Sequence, residues 1–445
     1  MLLGDGAEVR ETPGRGRGVF SRRTIRAGEV VLEERPLALY RQCGAHACAR
    51  CLRDLGPTGG VPLPWADPAL GARACSRACL GASAADPLGL TPAACTVLAR
   101  CAPAELGPEA GGGCELLARL AAGLGLAQGA NGGAPAASLA GDPEAQAAAR
   151  SAAASAPAAT VVPAVLQSLT ALTPGHPRPL SEPLREAARR AALVASALGL
   201  PLGQADAERI LQIDEANAYG IEGKWSGKVH ASGDEEEEEE EEPRVVLGGA
   251  LFARASMFNH ECLPNLARVD GFGADGPLDG GVVDEARGTG VTTRGMAARA
   301  AGARAGAVAP SAPDPYSQRA WVRLVALHDI PANEELTISY FPLGWPLEER
   351  RERCKELYGF ACACPRCVAE ERMEAEERGE QPPAAPAAGP AVDWPYIAMF
   401  LLRFACPTCG GTLVPAGEGR SVCNQCGGVR TDSEFQKELE ELQDA

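Results

Sequence analysis

The sequence predicts an α+β fold, a β-rich core split by a helical segment and fastened by cysteine-held metal. Three observations predict it. Runs rich in β-branched and apolar residues occur near the N terminus (GEVVLEERPLALY) and again far downstream (AWVRLVALHDIPANEELTISYF), and both read as strands. Residues 80–210 between them are mostly Ala, Leu and Arg, a composition that reads as several helices. Finally, 17 cysteines recur with C-x2-C spacing, which fits metal ligation in a reducing compartment better than a secreted disulfide framework.

Taken in order, residues 9–42 read as short strands, with GRGRGVFS as a glycine-rich turn. Residues 43–80 are rich in Cys, Gly and Pro. Residues 81–204 form a mainly helical insert, interrupted by loops at GLAQGANGGAPAASLAGDPEAQ and SAAASAPAATVVP. Residues 205–342 return to strands, with disordered insertions predicted at 230–243 and 271–315, the second too long for an ordinary connection. Two strands are expected around a turn at Asp329–Asn333. In 343–368 a charged helix, PLEERRERCKELYGF, runs into a cysteine cluster. A helix passing into a Pro/Ala-rich linker covers 369–393, a cysteine-rich unit covers 394–430, and an acidic helix closes the chain at 431–445.

The net charge of −16 is concentrated, because Asp234 and Glu235–Glu242 alone carry nine negative charges. Such a run reads as a solvated loop. The charge balance argues against a dedicated nucleic-acid binder, which shows a basic surface. MLLGDGAEVRETPG lacks the basic start and apolar core of a signal peptide. The longest apolar stretch, AALVASALGLPL, is too short to span a bilayer and reads as a core helix. The expectation is an intracellular protein of the cytoplasm, the nucleus or both, without direct membrane binding.

Three zinc sites are expected. Cys406, Cys409, Cys423 and Cys426 make C-x2-C-x13-C-x2-C, with Gly410, Gly411, Gly427 and Gly428 freeing the backbone for tight knuckles. Cys48, Cys51, Cys75 and Cys79 make a looser set, to which Cys43, His46, Cys95 and Cys101 could add a second metal or substitute ligands. Cys362, Cys364 and Cys367 are one thiolate short of a tetrahedral site, and Cys262 is the best fourth ligand.

Cys262 lies in SMFNHECLPN, where it also stands two residues from His260. A nucleophilic Cys262/His260 pair competes with the metal reading, although no third orienting group accompanies it. Cys354, Cys95, Cys101 and Cys114 read as small buried apolar residues. His176, His230 and His328 read as solvent-facing or without a specific task, and Trp345 and Trp394 as packing.

Four motifs in this order, GRGRGVFSRRTIRAGEVVLEERP, NHECLPN, NEELTISYF and YGFACACPRC, resemble the SET-domain protein lysine methyltransferases. The inserted cysteine unit is similar to the SET-and-MYND (SMYD) subgroup. The resemblance covers residues 9–80 and 205–368. It implies a SET-type β-rich core carrying a MYND-like zinc unit (43–80), a helical insert, a post-SET zinc site (343–368) and, outside the resemblance, a C-terminal zinc ribbon (394–430).

The same resemblance implies the site. Gly16 and Gly18 of the glycine-rich turn, with Arg17, approach S-adenosylmethionine (SAM); Asn259 and His260 hold it, and Asn217 in EANAYG lines its pocket. Tyr340 is the active-site tyrosine, and Tyr358 and Phe360 line the channel for the substrate lysine. Pro264-Asn265 shapes a threaded crossing of the chain. The implied activity is methylation of a lysine amine on a histone or non-histone protein, with a protein partner for the MYND-like unit and Zn²⁺ in about three sites. A catalytically silent SET fold serving as a zinc-dependent interaction scaffold is the alternative. Three departures from the family pattern stand out. Glu261 and Leu263 replace the usual Ser and Asp, Asn333 replaces the Gly before the two glutamates, and no H-x3-C follows Cys79.

Overall fold

The computed structural model describes residues 6–12, 15–128, 139, 141–155, 158–172, 179–223, 245–272, 320–381 and 392–443. The acidic run, nearly all of the predicted insertion 271–315, Gly14, His176 and His230 lie outside them. The fold is mixed α+β. In chain order its strands are β1 (Ala7–Thr12), β2 (Gly16–Ser21), β3 (Val30–Glu34), β4 (Ala38–Arg41), β5 (Val61–Pro62), β6 (Arg73–Ala74), β7 (Ala218–Gly223), β8 (Val245–Leu251), β9 (Asn259–His260), β10 (Leu266–Phe272), β11 (Ala320–Ala326), β12 (Glu335–Ile338), β13 (Leu413–Gly417), β14 (Arg420–Cys423) and β15 (Val429–Thr431). The chain divides into two compact units, Met1–Glu34 with Met257–Asp314 and Trp321–Ala445, and Arg35–Ser256 with Pro315–Ala320.

The first unit is built on a sheet of order β1-β2-β12-β10-β11-β3, with β9 also paired to β12. Its central strands bury Val19, Leu266, Leu324, Leu336 and Ile338 almost completely, as their apolar sequence requires. The turn expected between β11 and β12 is present, but the two strands are not neighbours. Strand β10 lies between them and runs parallel to β12. Local sequence suggests a hairpin, whereas Asn265 redirects the pairing. It bonds β12 through Nδ2 to Glu335 O (2.8 Å) and through Oδ1 to Thr337 N (2.9 Å), while its own carbonyl accepts from Leu327 N (2.9 Å). Asn333 turns into β12 at φ 70°, a left-handed conformation that Asn tolerates better than most residues.

The C-terminal ribbon β13-β14-β15 packs on this sheet. The helix Trp394–Phe404 sends Phe400 and Phe404 into a cluster with Trp321, Val325 and Leu327, joined by Val414 of β13. Asn424 Nδ2 donates to Arg268 O across 2.7 Å.

The second unit is mainly helical, with a three-stranded sheet β4-β8-β7. Its central helix, Pro108–Ala127, contains Gly111-Gly112-Gly113, a run that costs helix stability at about 1 kcal/mol per glycine. Close packing explains the run. A Cβ at Gly111 would lie 2.6 Å from Cys43 Cβ, and one at Gly112 3.1 Å from the Tyr40 ring. Further along, Leu116, Leu117 and Leu120 are fully buried, each contributing about 1.5–3 kcal/mol. The same helix carries a buried ion-pair triad. Glu115 Oε2 accepts from Arg41 Nε (3.0 Å), and Glu115 Oε1 accepts from Arg119 Nε (3.1 Å). Arg119 also donates to Ala49 O at 2.6 Å, reaching the loop between Cys48 and Cys51. Among the described residues, no helix is long and apolar enough to cross a membrane.

Candidate active site and metal centres

Three groups of four cysteines could each hold a metal ion: Cys48/Cys51/Cys75/Cys79, Cys262/Cys362/Cys364/Cys367 and Cys406/Cys409/Cys423/Cys426. Within them, sulfur–sulfur distances are 3.7 Å for Cys51–Cys75, 3.4 Å for Cys75–Cys79, 3.9 Å for Cys262–Cys362, 3.5 Å for Cys262–Cys367, 3.7 Å for Cys406–Cys426 and 3.5 Å for Cys409–Cys423. Tetrahedral zinc with bonds of about 2.3 Å separates its sulfurs by about 3.8 Å, so the donor sets fit Zn²⁺. Backbone amides point at several sulfurs, as Cys75 N does at Cys48 (3.2 Å) and Gly428 N at Cys426 (3.4 Å). Such donors favour the thiolate form that a metal needs.

The third set brings Cys262 to the three cysteines a hundred residues later, as ligand counting anticipates. Arg366 holds the junction, donating to Leu343 O at 2.7 Å. Cys262 is 1% exposed, which leaves no room for an attacking thiolate to meet a substrate. Cys43, His46, Cys95 and Cys101 join none of the metal-binding groups found among the described residues. Cys95 points its thiol at Leu90 O, and burial pushes it up to about 12. Cys101 and Cys114 are fully buried. Cys354, expected as a small buried apolar residue, is fully buried in an apolar cluster, and it also stands beside Cys362 and His260 in a fourth group with metal-ligating atom types. Its signal in the sequence was only the helical spacing that turns it inward, toward YGFACAC.

Around Cys262 the remaining candidates converge. Parallel pairing sets Asn259 opposite Thr337 and His260 opposite Ile338, so the loop runs beside the strand that leads to Tyr340. The backbone N–H of Tyr340 donates to His260 Nδ1 (3.1 Å), and His260 Nε2 lies 3.2 Å from Cys262 Sγ. The Tyr340 hydroxyl donates to Phe258 O at 3.0 Å. Burial pushes this phenol well above its usual range, with the neighbouring Tyr358 adding to the shift, so it stays protonated. The Tyr340 and Tyr358 rings are 4.6 Å apart and Phe360 lies 6.4 Å from Tyr358, forming an aromatic wall.

Asn259 Nδ2 donates to Arg17 O (3.2 Å) and to Glu335 Oε1 (2.7 Å). Arg17 thus contributes its carbonyl here, while Arg15, which sequence reasoning passed over, donates to His260 O at 2.7 Å. Gly18 admits no side chain, since a Cβ there would lie 2.6 Å from Glu335 Oε1 and 2.7 Å from Thr12 Oγ1. That buried Thr12 hydroxyl has no hydrogen-bond partner among the described residues. Gly16 opens β2 in the left-handed region at φ 71°. Asn217 belongs to the second unit, where its amide turns back to Ile213 O (2.9 Å) and its carbonyl accepts from Ser256 Oγ (3.2 Å).

Comparison with known proteins gives several distant relatives, among them the two that follow, and no matching family model. The chain is 25% identical over 255 residues to the histone-lysine N-methyltransferase ASHR2 of Arabidopsis thaliana, covering 50% of this chain and 51% of that protein. It is 40% identical over 58 residues to a SET and MYND domain-containing protein of Dictyostelium discoideum, covering 13% of this chain and 11% of that protein. The chain is therefore a distant homologue of SET-domain proteins of both kinds, and its match spans about half the length of the first relative and about a tenth of the second.

Proposed function

We propose that this chain is a SAM-dependent protein-lysine N-methyltransferase with a SET-type core, acting on a lysine of a histone or non-histone protein. The observation that carries the reading is the convergence of Asn259, His260 and Tyr340 beside an aromatic wall, in a chain homologous to SET-domain enzymes. The groups that would hold SAM are Asn259, His260 and the Gly16–Gly18 backbone with Arg17. SAM would supply an electrophilic methyl group.

The chain's own residues have few tasks in such a transfer, chiefly alignment and exclusion of water. Tyr340 keeps its phenol proton on Phe258 O and offers its oxygen lone pairs to orient the amine. Tyr358 and Phe360 would line the lysine channel, where an apolar wall favours the neutral amine that must attack. Cys262, Cys362, Cys364 and Cys367 would bind a zinc that ties the C-terminal segment to the Asn259-His260 loop, with the other two cysteine sets as further structural zinc sites. A protein partner on the cysteine-rich unit at 43–80 is part of the same reading.

The test is calorimetric titration of SAM into zinc-loaded protein and its Asn259→Ala variant, followed by a search for methylated lysines by mass spectrometry. Binding that the variant loses, together with methyl transfer that Tyr340→Phe abolishes, is expected. Folded, metal-loaded protein that binds no SAM would overturn the enzyme reading in favour of a zinc-dependent interaction scaffold.

A further inference from the structure

We infer that Glu335 is a positioning residue that holds both members of the Asn259-His260 pair with one carboxylate. Its Oε1 accepts from Asn259 Nδ2 at 2.7 Å, and its Oε2 accepts from Arg15 at 3.3 Å. Arg15 passes the constraint on, because its other terminal nitrogen donates to His260 O at 2.7 Å. One residue's side chain and the next residue's carbonyl are thereby fixed from a single point. Asn259 has one amide nitrogen to place, and its other acceptor is Arg17 O, so the bond to Glu335 also sets the orientation of the amide.

Glu335 is itself held before any ligand arrives. It begins β12 opposite Phe20 of β2, and its carbonyl is taken by Asn265. The carboxylate is mostly sheltered and is matched in charge by Arg15, with Glu261 also 3.9 Å from that guanidinium. Hydrogen bonds with one ionised partner are roughly twice as strong as neutral ones, which suits a residue that must hold a loop rather than merely fill space. The same Oε1 packs against Gly18 so closely that a Cβ there would meet it at 2.6 Å. Glu335 therefore also braces the glycine-rich turn from the strand side. It is assigned no contact with reacting atoms.

The inference rests on the SAM reading for one of its two readouts only. The test uses the full-length, zinc-loaded chain with Glu335→Gln, Glu335→Ala and Arg15→Gln. The first readout is the side-chain amide signal of Asn259 in protein labelled with ¹⁵N-asparagine, assigned by its loss in Asn259→Ala. Glu335→Ala is expected to collapse the shift difference between the two amide protons and speed their exchange with water. Glu335→Gln, which keeps an acceptor for Asn259, is expected to restore most of it. The second readout is SAM affinity, expected to weaken about tenfold in Glu335→Ala and less in Glu335→Gln, with kcat at saturating SAM nearly unchanged. An Asn259 signal and a SAM affinity both unaltered in Glu335→Ala would overturn the inference. If the unaltered protein fails to bind SAM, the enzyme reading falls, while the Asn259 signal still decides the role of Glu335. If Glu335→Ala does not fold, Arg15→Gln decides it, since an Asn259 signal and a SAM affinity both unchanged in that variant would count against the inference.

Discussion

The backbone N–H of Tyr340 points at His260 Nδ1 across 3.1 Å, and this one bond fixes which nitrogen of the ring carries hydrogen. With Nδ1 accepting, a neutral imidazole bears its proton on Nε2, 3.2 Å from the sulfur of Cys262. With zinc bound at Cys262, His260 would donate to its thiolate, in the manner of groups that surround a metal's ligands, without being a ligand itself. His260→Gln should keep the zinc content of the protein unchanged. In cobalt-substituted protein it should shift the sulfur-to-metal charge-transfer band, because one thiolate loses a hydrogen bond. Loss of a metal equivalent would instead make His260 a ligand.

Metal stoichiometry is the second expectation. Elemental analysis should find three zinc ions per chain, and Cys262→Ala should lower the count by one. Structural zinc binding is worth about 10–16 kcal/mol in small zinc-binding peptides, so losing it should loosen residues 343–368 severely. Limited proteolysis would detect this as new cleavage confined to that segment. An unchanged count in Cys262→Ala would refute the fourth-ligand assignment.

Removing the charge at Glu115 should be costly. Arg41 and Arg119 are both almost fully buried and share this carboxylate, so Glu115→Ala strands two cations in the interior of the helical unit. A loss of about 3–5 kcal/mol in chemical denaturation is expected. Because Arg119 also holds Ala49 O, the Cys48–Cys51 loop should release its metal more readily to a chelator. A loss under about 1 kcal/mol would show that the triad is dispensable.

Asp214 should make stability depend on pH. Tyr40 donates its hydroxyl to Asp214 Oδ2 at 2.7 Å, Oδ1 has no partner among the described residues, and burial pushes the carboxyl up from 3.8 to about 7. A raised folded-state value means that the protonated form is favoured by folding. Its contribution is therefore complete below about pH 4 and is lost as pH rises through about 7. At about 1.4 kcal/mol per unit of displacement, the upper bound is about 4 kcal/mol. Asp214→Asn should flatten this part of the profile between pH 4 and 8 and raise the melting temperature at pH 8. An identical pH profile in the variant would remove Asp214 from the explanation.

What could be read in advance follows from how local each signal is. The cysteine pairs were legible because a knuckle is a short-range device. Even Cys262 could be matched to its distant partners, since a tetrahedral site must have a fourth donor. The left-handed turn at Asn333 was legible for the same local reason. The place of β10 between β11 and β12 was not, because it depends on Asn265 bonding a strand about 70 residues away. Side-chain direction was equally hidden. The family resemblance pointed to Arg17, whereas the turn into β2 aims the guanidinium of Arg15 at His260 O. Glu335 sits in a motif noticed for its tyrosine, and nothing in NEELTISYF says that its second glutamate faces Asn259.

The C-terminal ribbon bears on what counts as a separable piece. Phe400, Phe404 and Val414 share one apolar cluster with Trp321 and Val325, and Asn424 caps the Arg268 carbonyl. A backbone cut within 369–393 would therefore yield two polypeptides that remain clasped, like the halves of a split reporter. A gene shortened at the same place would leave Trp321 uncovered, and its product would be prone to clump.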